Sequence, residues 1–294
     1  RGLSLPTMGL LPVGPIGVPV RPALSSDLPI RCHIVVPCAG AGQRALVAGQ
    51  PARAKQYQDL AERPMVWHTL RALCEVRVAD VTEGRAVCGE LLVVTAADDA
   101  EWSTLMATQP PLGHLTSFTA VTQQPIGGDT RARSVLNGLQ FLTGLPNVGP
   151  DDWVLVHDAA RCLVRSEAIE ALIAACLQHQ RGGLLAQPLA DTLKVAQVNA
   201  KGVESVATTL PREGRWLAQT PQMFPLVALR KALENASAQP ADWQAITDEA
   251  SAMERLGVSP ILIPGGADNF KVTYPSDFAM AHAILAQRAQ KDTL

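Results

Sequence analysis

Val154-Leu155-Val156-His157-Asp158-Ala159-Ala160-Arg161 is the stretch on which the fold turns. Its apolar start reads as a short strand buried on both faces, the kind that parallel sheets use. It then ends in a carboxylate, two small residues and an arginine. Ligands collect at strand ends in open parallel sheets. A carboxylate there can hold a hard cation such as Mg2+, and an arginine can grip a phosphate. On the stretch alone, a solvated strand end with Asp158 and Arg161 paired to each other is an equally good reading, because loops are polar in any case.

Similar runs lie on either side. Cys32-His33-Ile34-Val35-Val36-Pro37, Leu91-Leu92-Val93-Val94-Thr95, Phe118-Thr119-Ala120-Val121-Thr122 and Leu184-Leu185-Ala186 read as further strands. Helical spacing recurs between them. It joins Val66, Leu70, Leu73 and Val76, then Trp102, Leu105 and Met106. Gly127-Gly128-Asp129-Thr130-Arg131 opens a helix faced by Val135, Leu136, Leu139 and Leu142, with Asp129 or Thr130 as its cap. A helix from about Ser166 to Gln180 carries Ile169, Leu172, Ile173 and Cys176. Strands alternating with helices in this way predict an α/β fold, a mostly parallel sheet covered on both faces.

From about Asp191 to Thr220 the pattern changes to short alternating pieces, Leu193-Lys194-Val195, Val203-Glu204-Ser205-Val206 and Trp216-Leu217-Ala218, divided by Asn199 and Gly202. These read as a projecting β-arm over about 190–220. Such an arm is too thin to bury its own apolar face, so it is expected to pack on another subunit. The tail returns to helix, strand and helix: Pro225 to Ser237, Asp248 to Leu256, Ile261 to Ile263, and Pro275 to Gln287.

Composition narrows the function. Basic and acidic residues nearly balance, for a net charge of -2, so no broad positive field invites nucleic acid and any phosphate recognition must be local. No uninterrupted apolar run is long enough to predict a membrane span. The six cysteines form no Cys-x-x-Cys and no Cys/His cluster, which predicts a reduced, cytoplasmic protein without zinc. Residues 1–30 hold six prolines and four glycines, lack a basic start beyond Arg1 and lack an Ala-x-Ala site. They read as a loosely ordered leader ahead of a single domain, 31–294.

The first loop contains Gly40-x-Gly42. Glycines there let backbone N–H groups approach a triphosphate, although they also make ordinary strand-to-helix turns. Walker A chemistry is excluded, since no Gly-Lys-Ser/Thr follows. A third glycine of a dinucleotide loop would fall at Ala45, and no acidic residue at the end of a second strand answers for the ribose. Arg44 and Lys55 can supply fixed positive charge, or be surface cations as most such residues are.

Seven motifs then fall in order: Pro37-Cys38-Ala39-Gly40-Ala41-Gly42-Gln43-Arg44, Lys55-Gln56-Tyr57, Gly127-Gly128-Asp129-x-Arg131-x-x-Ser134-Val135, His157-Asp158-Ala159-Ala160-Arg161, Thr220-Pro221-Gln222, Ile246-Thr247-Asp248-Glu249-Ala250 and Asp268-Asn269-x-Lys271-Val272-Thr273. Together they closely resemble the 2-C-methyl-D-erythritol 4-phosphate cytidylyltransferase family of the non-mevalonate isoprenoid pathway, from about His33 to the C-terminus.

The resemblance implies a Rossmann-like nucleotidyltransferase fold, a homodimer joined through the arm, and CTP with Mg2+ as co-substrate. Ala39, Gly40, Ala41 and Gly42 would lie along the triphosphate, and Arg44 and Lys55 would stabilise charge on the reacting α-phosphate. Gly127, Asp129 and Ser134 fall on the family's cytosine and ribose contacts, and Asp158 on its metal and ribose contact. Arg161, Thr192, Arg212, Thr220, Thr247 and Lys271 fall on the methylerythritol phosphate side, with Thr192 and Arg212 reaching the neighbouring subunit's site. Nucleotidyl transfer brings two anions together, so positioning and charge neutralisation are the protein's task. A phosphate nucleophile is already ionised at neutral pH, so no general base is needed and His157 reads as structural.

Three departures from the family pattern stand out. The loop between Gly42 and Lys55 is longer, with Ala48 to Arg53 as the inserted stretch, which makes Arg53 a competitor of Lys55. Ala54 and Cys162 stand where prolines are common. A related family using ribitol 5-phosphate shares most of the motifs, as would a catalytically silent nucleotide binder that keeps the fold. Ala159-Ala160 favours methylerythritol phosphate, and the intact basic and acidic set favours an enzyme.

Overall fold

The computed structural model describes residues 29–40, 53–112 and 117–291. The leader, apart from its last two residues, and Ala41, Gly42 and Arg44 lie outside them. In chain order the elements are β1 (Ile30–Pro37), a 3-10 turn (Lys55–Tyr57), β2 (Asp59–Leu60), β3 (Arg63–Pro64), α1 (Met65–Cys74), α2 (Val78–Thr82), β4 (Ala86–Val94), α3 (Trp102–Ala107) and β5 (Ala120–Gln124). There follow α4 (Arg131–Thr143), β6 (Trp153–Val156), α5 (Ser166–His179), β7 (Gly183–Pro188), β8 (Leu193–Val198), β9 (Glu204–Leu210) and β10 (Trp216–Pro225). Last come α6 (Leu226–Ser237), α7 (Pro240–Gln244), α8 (Glu249–Glu254), β11 (Ile261–Pro264) and α9 (Pro275–Lys291).

Seven strands form one sheet in the order β11-β7-β10-β6-β1-β4-β5. All its neighbours pair in parallel except β10, which runs antiparallel to both β6 and β7. Alternation along β1 sends Ile34 and Val36 to a face covered by α1, α2 and α5, and Val35 to a face covered by α4, α6 and α8. A smaller cluster packs α9 over Leu60, Met65, Ala160, Leu163 and Val272. It also contains Cys162, whose thiol burial pushes up to about 12, so this residue is an unreactive core side chain in place of the proline.

The chain leaves β1 first toward β4 and later returns to β6 on β1's other side. That reversal opens a crevice at the carboxyl ends of the strands, where open α/β sheets bind ligands. It sets the end of β1 beside the end of β6, with the His157 N–H donating to the Val35 carbonyl.

One expected piece lies elsewhere. Trp216-Leu217-Ala218 does not belong to the arm but begins β10, with Trp216 opposite Pro188 and Leu217 opposite Gln187. Short alternating pieces look alike in sequence, and only the pairing assigns this one to the main sheet; the strand it begins also contains Pro221, an unusual residue for a central strand. The strand absorbs it through a register shift between Ala218 and Gln222 and continues into buried Met223 and Phe224. The arm proper is the β8–β9 hairpin, which among the described residues pairs with no other strand and stands exposed.

At the opposite end of the sheet Asp152 ties β1 to β6. Its carboxylate accepts from the Arg31 N–H at 2.9 Å, the Gly149 N–H at 2.7 Å and His33 Nε2 at 3.2 Å. His33 Nδ1 accepts from the Glu90 N–H, which fixes the proton on Nε2. Burial alone would push this carboxyl up, but those donors outweigh it and hold it below its ordinary value. The stabilisation is therefore complete above the ordinary carboxylate range and is lost as pH falls through the lowered folded value. Asp152→Ala strands the three donors and should cost about 1–3 kcal/mol of stability, measured by urea unfolding at neutral pH.

Candidate active site

Asp158 is the second residue beyond β6, with its backbone N–H bonded to the Thr220 hydroxyl at 3.0 Å. Both carboxylate oxygens meet cations: Arg131 Nε lies 2.6 Å from Oδ1 and Lys271 Nζ 2.7 Å from Oδ2. Burial alone would push this carboxyl up, but the two cations reverse the effect and hold it well below the usual carboxylate range. Arg131 turns its other edge to Glu249, with Nη1 2.7 Å from Oε1 and Nη2 3.1 Å from Oε2. Desolvation pushes the buried Glu249 up, yet it remains a carboxylate opposite this fork, since a protonated acid would turn an O–H against a guanidinium N–H. The result is an alternating chain of charges, Lys271, Asp158, Arg131 and Glu249, drawn from four distant parts of the sequence.

His157 is buried behind this chain. Its Nε2 lies 3.1 Å from the Arg161 carbonyl, which can only accept, so the proton sits there. Nδ1 then accepts from the Thr220 hydroxyl at 3.1 Å. Burial drives the ring down to about 4, against the pull of the Asp158 carboxylate. With both nitrogens engaged, His157 is a neutral spacer that fixes Thr220.

The Lys55–Tyr57 turn is anchored at each of its residues. Lys55 Nζ donates to the Val272 carbonyl at 2.7 Å, Gln56 Nε2 to the Cys38 carbonyl at 2.9 Å and Tyr57 Oη to Asp99 Oδ2 at 2.5 Å. Arg53 instead meets Glu101 at 2.8 Å and Asp59 at 3.7 Å. Lys55, and not Arg53, therefore faces the 269–273 segment that also carries Lys271.

On the glycine side, Gly127 lies against Ala39, and its N–H donates to the Thr95 carbonyl at 2.8 Å. A Cβ there would come within 2.3 Å of the Ala39 Cβ and 2.6 Å of the Thr95 oxygen, so only glycine permits the approach. Ser134 Oγ accepts from the Gly128 N–H and donates to the Thr130 carbonyl, both at 3.0 Å, which shapes the loop. Thr130, and not Asp129, caps α4, leaving Asp129 exposed.

Of the remaining candidates, Arg161 donates to the carbonyls of Asn269 at 2.7 Å and Ala218 at 3.3 Å, tying β10 to the Lys271 segment. Thr247 is exposed just ahead of the α8 cap Asp248. Thr192 and Arg212 sit at the base of the exposed hairpin, with Arg212 bonded to the Ala190 carbonyl. Arg131 and Glu249 are the partners that residue-by-residue reading left unassigned. Both stand inside quoted motifs, but nothing local says that charges 118 positions apart meet.

Among the described residues no group of three or more His, Cys, Asp or Glu is placed to hold a metal. Asp158 offers one carboxylate, and Lys271 already sets a positive charge against its Oδ2. A single carboxylate is within what Mg2+ commonly uses, with phosphate and water oxygens filling the rest of its shell, and Lys271 would have to leave Oδ2 for a cation to take it.

Residues 32–287 match the profile of the family described as IspD, 2-C-methyl-D-erythritol 4-phosphate cytidylyltransferase. The chain belongs to that family. It is 45% identical over 254 residues to the 2-C-methyl-D-erythritol 4-phosphate cytidylyltransferase of Chromobacterium violaceum, covering 86% of this chain and 97% of that one. It is 48% identical over 275 residues to a bifunctional enzyme IspD/IspF of Albidiferax ferrireducens, covering 92% of this chain but only 57% of that relative. Family crystal structures superpose on it. A 4-diphosphocytidyl-2C-methyl-D-erythritol synthase gives a TM-score of 0.65 at 32% identity over 88% of this chain and all of the other. The Francisella tularensis cytidylyltransferase gives 0.61 at 29% identity, over 85% of this chain and 98% of that one. The family's Rossmann-like nucleotidyltransferase fold is thus the fold of this chain.

The geometry at His157 has a direct spectroscopic consequence. Its ring nitrogens should report the neutral Nε2–H tautomer unchanged from about pH 8 to about pH 6, followed by 15N NMR, whereas a free imidazole titrates in that window.

Proposed function

We propose that this chain transfers the cytidylyl group of CTP to 2-C-methyl-D-erythritol 4-phosphate, giving 4-diphosphocytidyl-2-C-methyl-D-erythritol and pyrophosphate. The observation that carries the reading is the convergence of Lys55, Lys271 and Asp158 at the crevice of a chain that belongs to this family. An acceptor phosphate oxygen attacks the α-phosphorus as the bond to the leaving pyrophosphate breaks. Little proton chemistry is required, and fixed cations lower the barrier where charge builds up.

In this reading Ala39, Gly40, Ala41 and Gly42 cradle the triphosphate, and Gly127, Asp129 and Ser134 form the cytosine and ribose side. Arg44 and Lys55 meet the charge on the α-phosphate. Asp158 would be the protein ligand of a bound Mg2+, whose charge would offset that of the phosphates. Lys271 then exchanges Asp158 for the acceptor phosphate, beside Arg161, Thr220 and Thr247. The half-exposed ammonium supports that exchange, since a flexible point charge gives up one anion for another at small cost.

Thr192 and Arg212 complete the acceptor side from a second subunit. The hairpin supports a homodimer, because Val195, Val198, Val203 and Val206 stand exposed on an element with no core of its own. Six free cysteines suit a reducing cytoplasm, and no helix among the described residues is long and apolar enough to cross a membrane.

Pyrophosphate release with CTP and each acceptor in turn tests the assignment. Methylerythritol phosphate should support turnover, and activity with ribitol 5-phosphate alone would overturn it. Lys55→Ala should lower kcat by about 100- to 1000-fold with CTP affinity by calorimetry little changed. Mixing Lys55→Ala with Arg212→Ala protein should recover up to about a quarter of wild-type activity. Half of the dimers would be mixed, and each would own one whole site. No recovery after subunit exchange would place Arg212 in its own chain's site.

A further inference from the structure

Arg131 and Glu249 are employed by no step of the proposed chemistry. Arg131 opens α4 and Glu249 opens α8, while Asp158 follows β6. The guanidinium lies between the two carboxylates, and a rigid planar fork held on one edge can present its other edge in only one direction. Glu249 grips Nη1 and Nη2, which leaves Nε to point at Asp158 Oδ1.

Glu249 is itself held from behind. Gln222, near the end of β10, donates from Nε2 to Asp248 Oδ2 and accepts from the Ala250 N–H through Oε1, both at 2.8 Å. The Asp248 and Ser251 capping box closes the same turn. With Oδ1 pinned, the Asp158 oxygen left to face a ligand is Oδ2, where the half-exposed Lys271 now sits.

We infer that Glu249 is a positioning residue: acting through Arg131, it aims Asp158 so that Oδ2 faces the metal and nucleotide. This rests on the reading of Asp158 given above and adds the reason why its carboxylate has a single orientation. A carboxylate two steps from the ligand influences the reaction only by way of the groups between them. Partners at that remove typically change affinity or activity about 10- to 100-fold.

The test is a mutant cycle of Glu249→Gln, Asp158→Asn and the double variant. The readouts are kcat/KM for CTP with saturating acceptor, and Tm and circular dichroism for folding. Glu249→Gln should lower kcat/KM by about 10- to 100-fold, and adding it to Asp158→Asn should cost almost nothing further. A purely structural role would appear in Tm and give losses that multiply in the double variant, which would overturn the inference. Near-normal turnover of Glu249→Gln beside a crippled Asp158→Asn would also overturn it while leaving the active site as proposed. Near-normal turnover of Asp158→Asn would overturn the role of Asp158 itself. Should Glu249→Gln fail to fold, Glu249→Asp keeps the charge and takes its place in the cycle, with the same non-additivity expected and multiplying losses again overturning the inference.

Discussion

Asp158 is buried at the end of β6, and a buried carboxylate stays an anion only where positive charge answers it. Here the answer comes from both sides, Arg131 on one oxygen and Lys271 on the other. The two cations differ in kind. Arg131 is itself enclosed by Glu249 and belongs to the scaffold, whereas Lys271 reaches in from the surface. One side of the carboxylate is thus permanent and the other is open to exchange, an asymmetry that suits a group with ligands to meet.

The sheet explains how such distant residues come to share a place. Because β1 has β4 on one side and β6 on the other, the loops after all three strands open toward one crevice. The antiparallel strand β10 then runs past the end of β6 and brings Thr220 to the Asp158 backbone and Gln222 to the start of α8. A parallel strand in that position would reach the same spot only by its terminus. The antiparallel one crosses it mid-length, which lets the chain continue on both sides.

The alternation of apolar runs and helical spacing was legible in the sequence to within a few residues: β1, β6, α4 and α5 lie where the periodicity puts them. The short helices α2 and α7 were not, since five residues carry too little periodic signal. The first residues of β10 were read as part of the arm because short alternating pieces look alike locally, and only their pairing with β7 assigns them to the main sheet. Asp158, Lys55 and Lys271 could be picked out through their motifs. The pairing of Arg131 with Glu249 could not, because an arginine and a glutamate at two helix starts look like ordinary surface charges until the fold sets them face to face.

The three anchors of the Lys55 turn carry one more consequence. Cys38, Asp99 and Val272 hold it from the strand end before it, the loop after β4 and the segment before α9. The position of Lys55 is therefore set by tertiary partners and not by the length of chain that leads to it. The entropy of closing a loop grows only with the logarithm of its length, about 0.6 kcal/mol for each doubling. The ammonium of Lys55 is held by where Cys38, Asp99 and Val272 sit in the fold, so its place does not depend on how many residues separate it from β1 in the sequence.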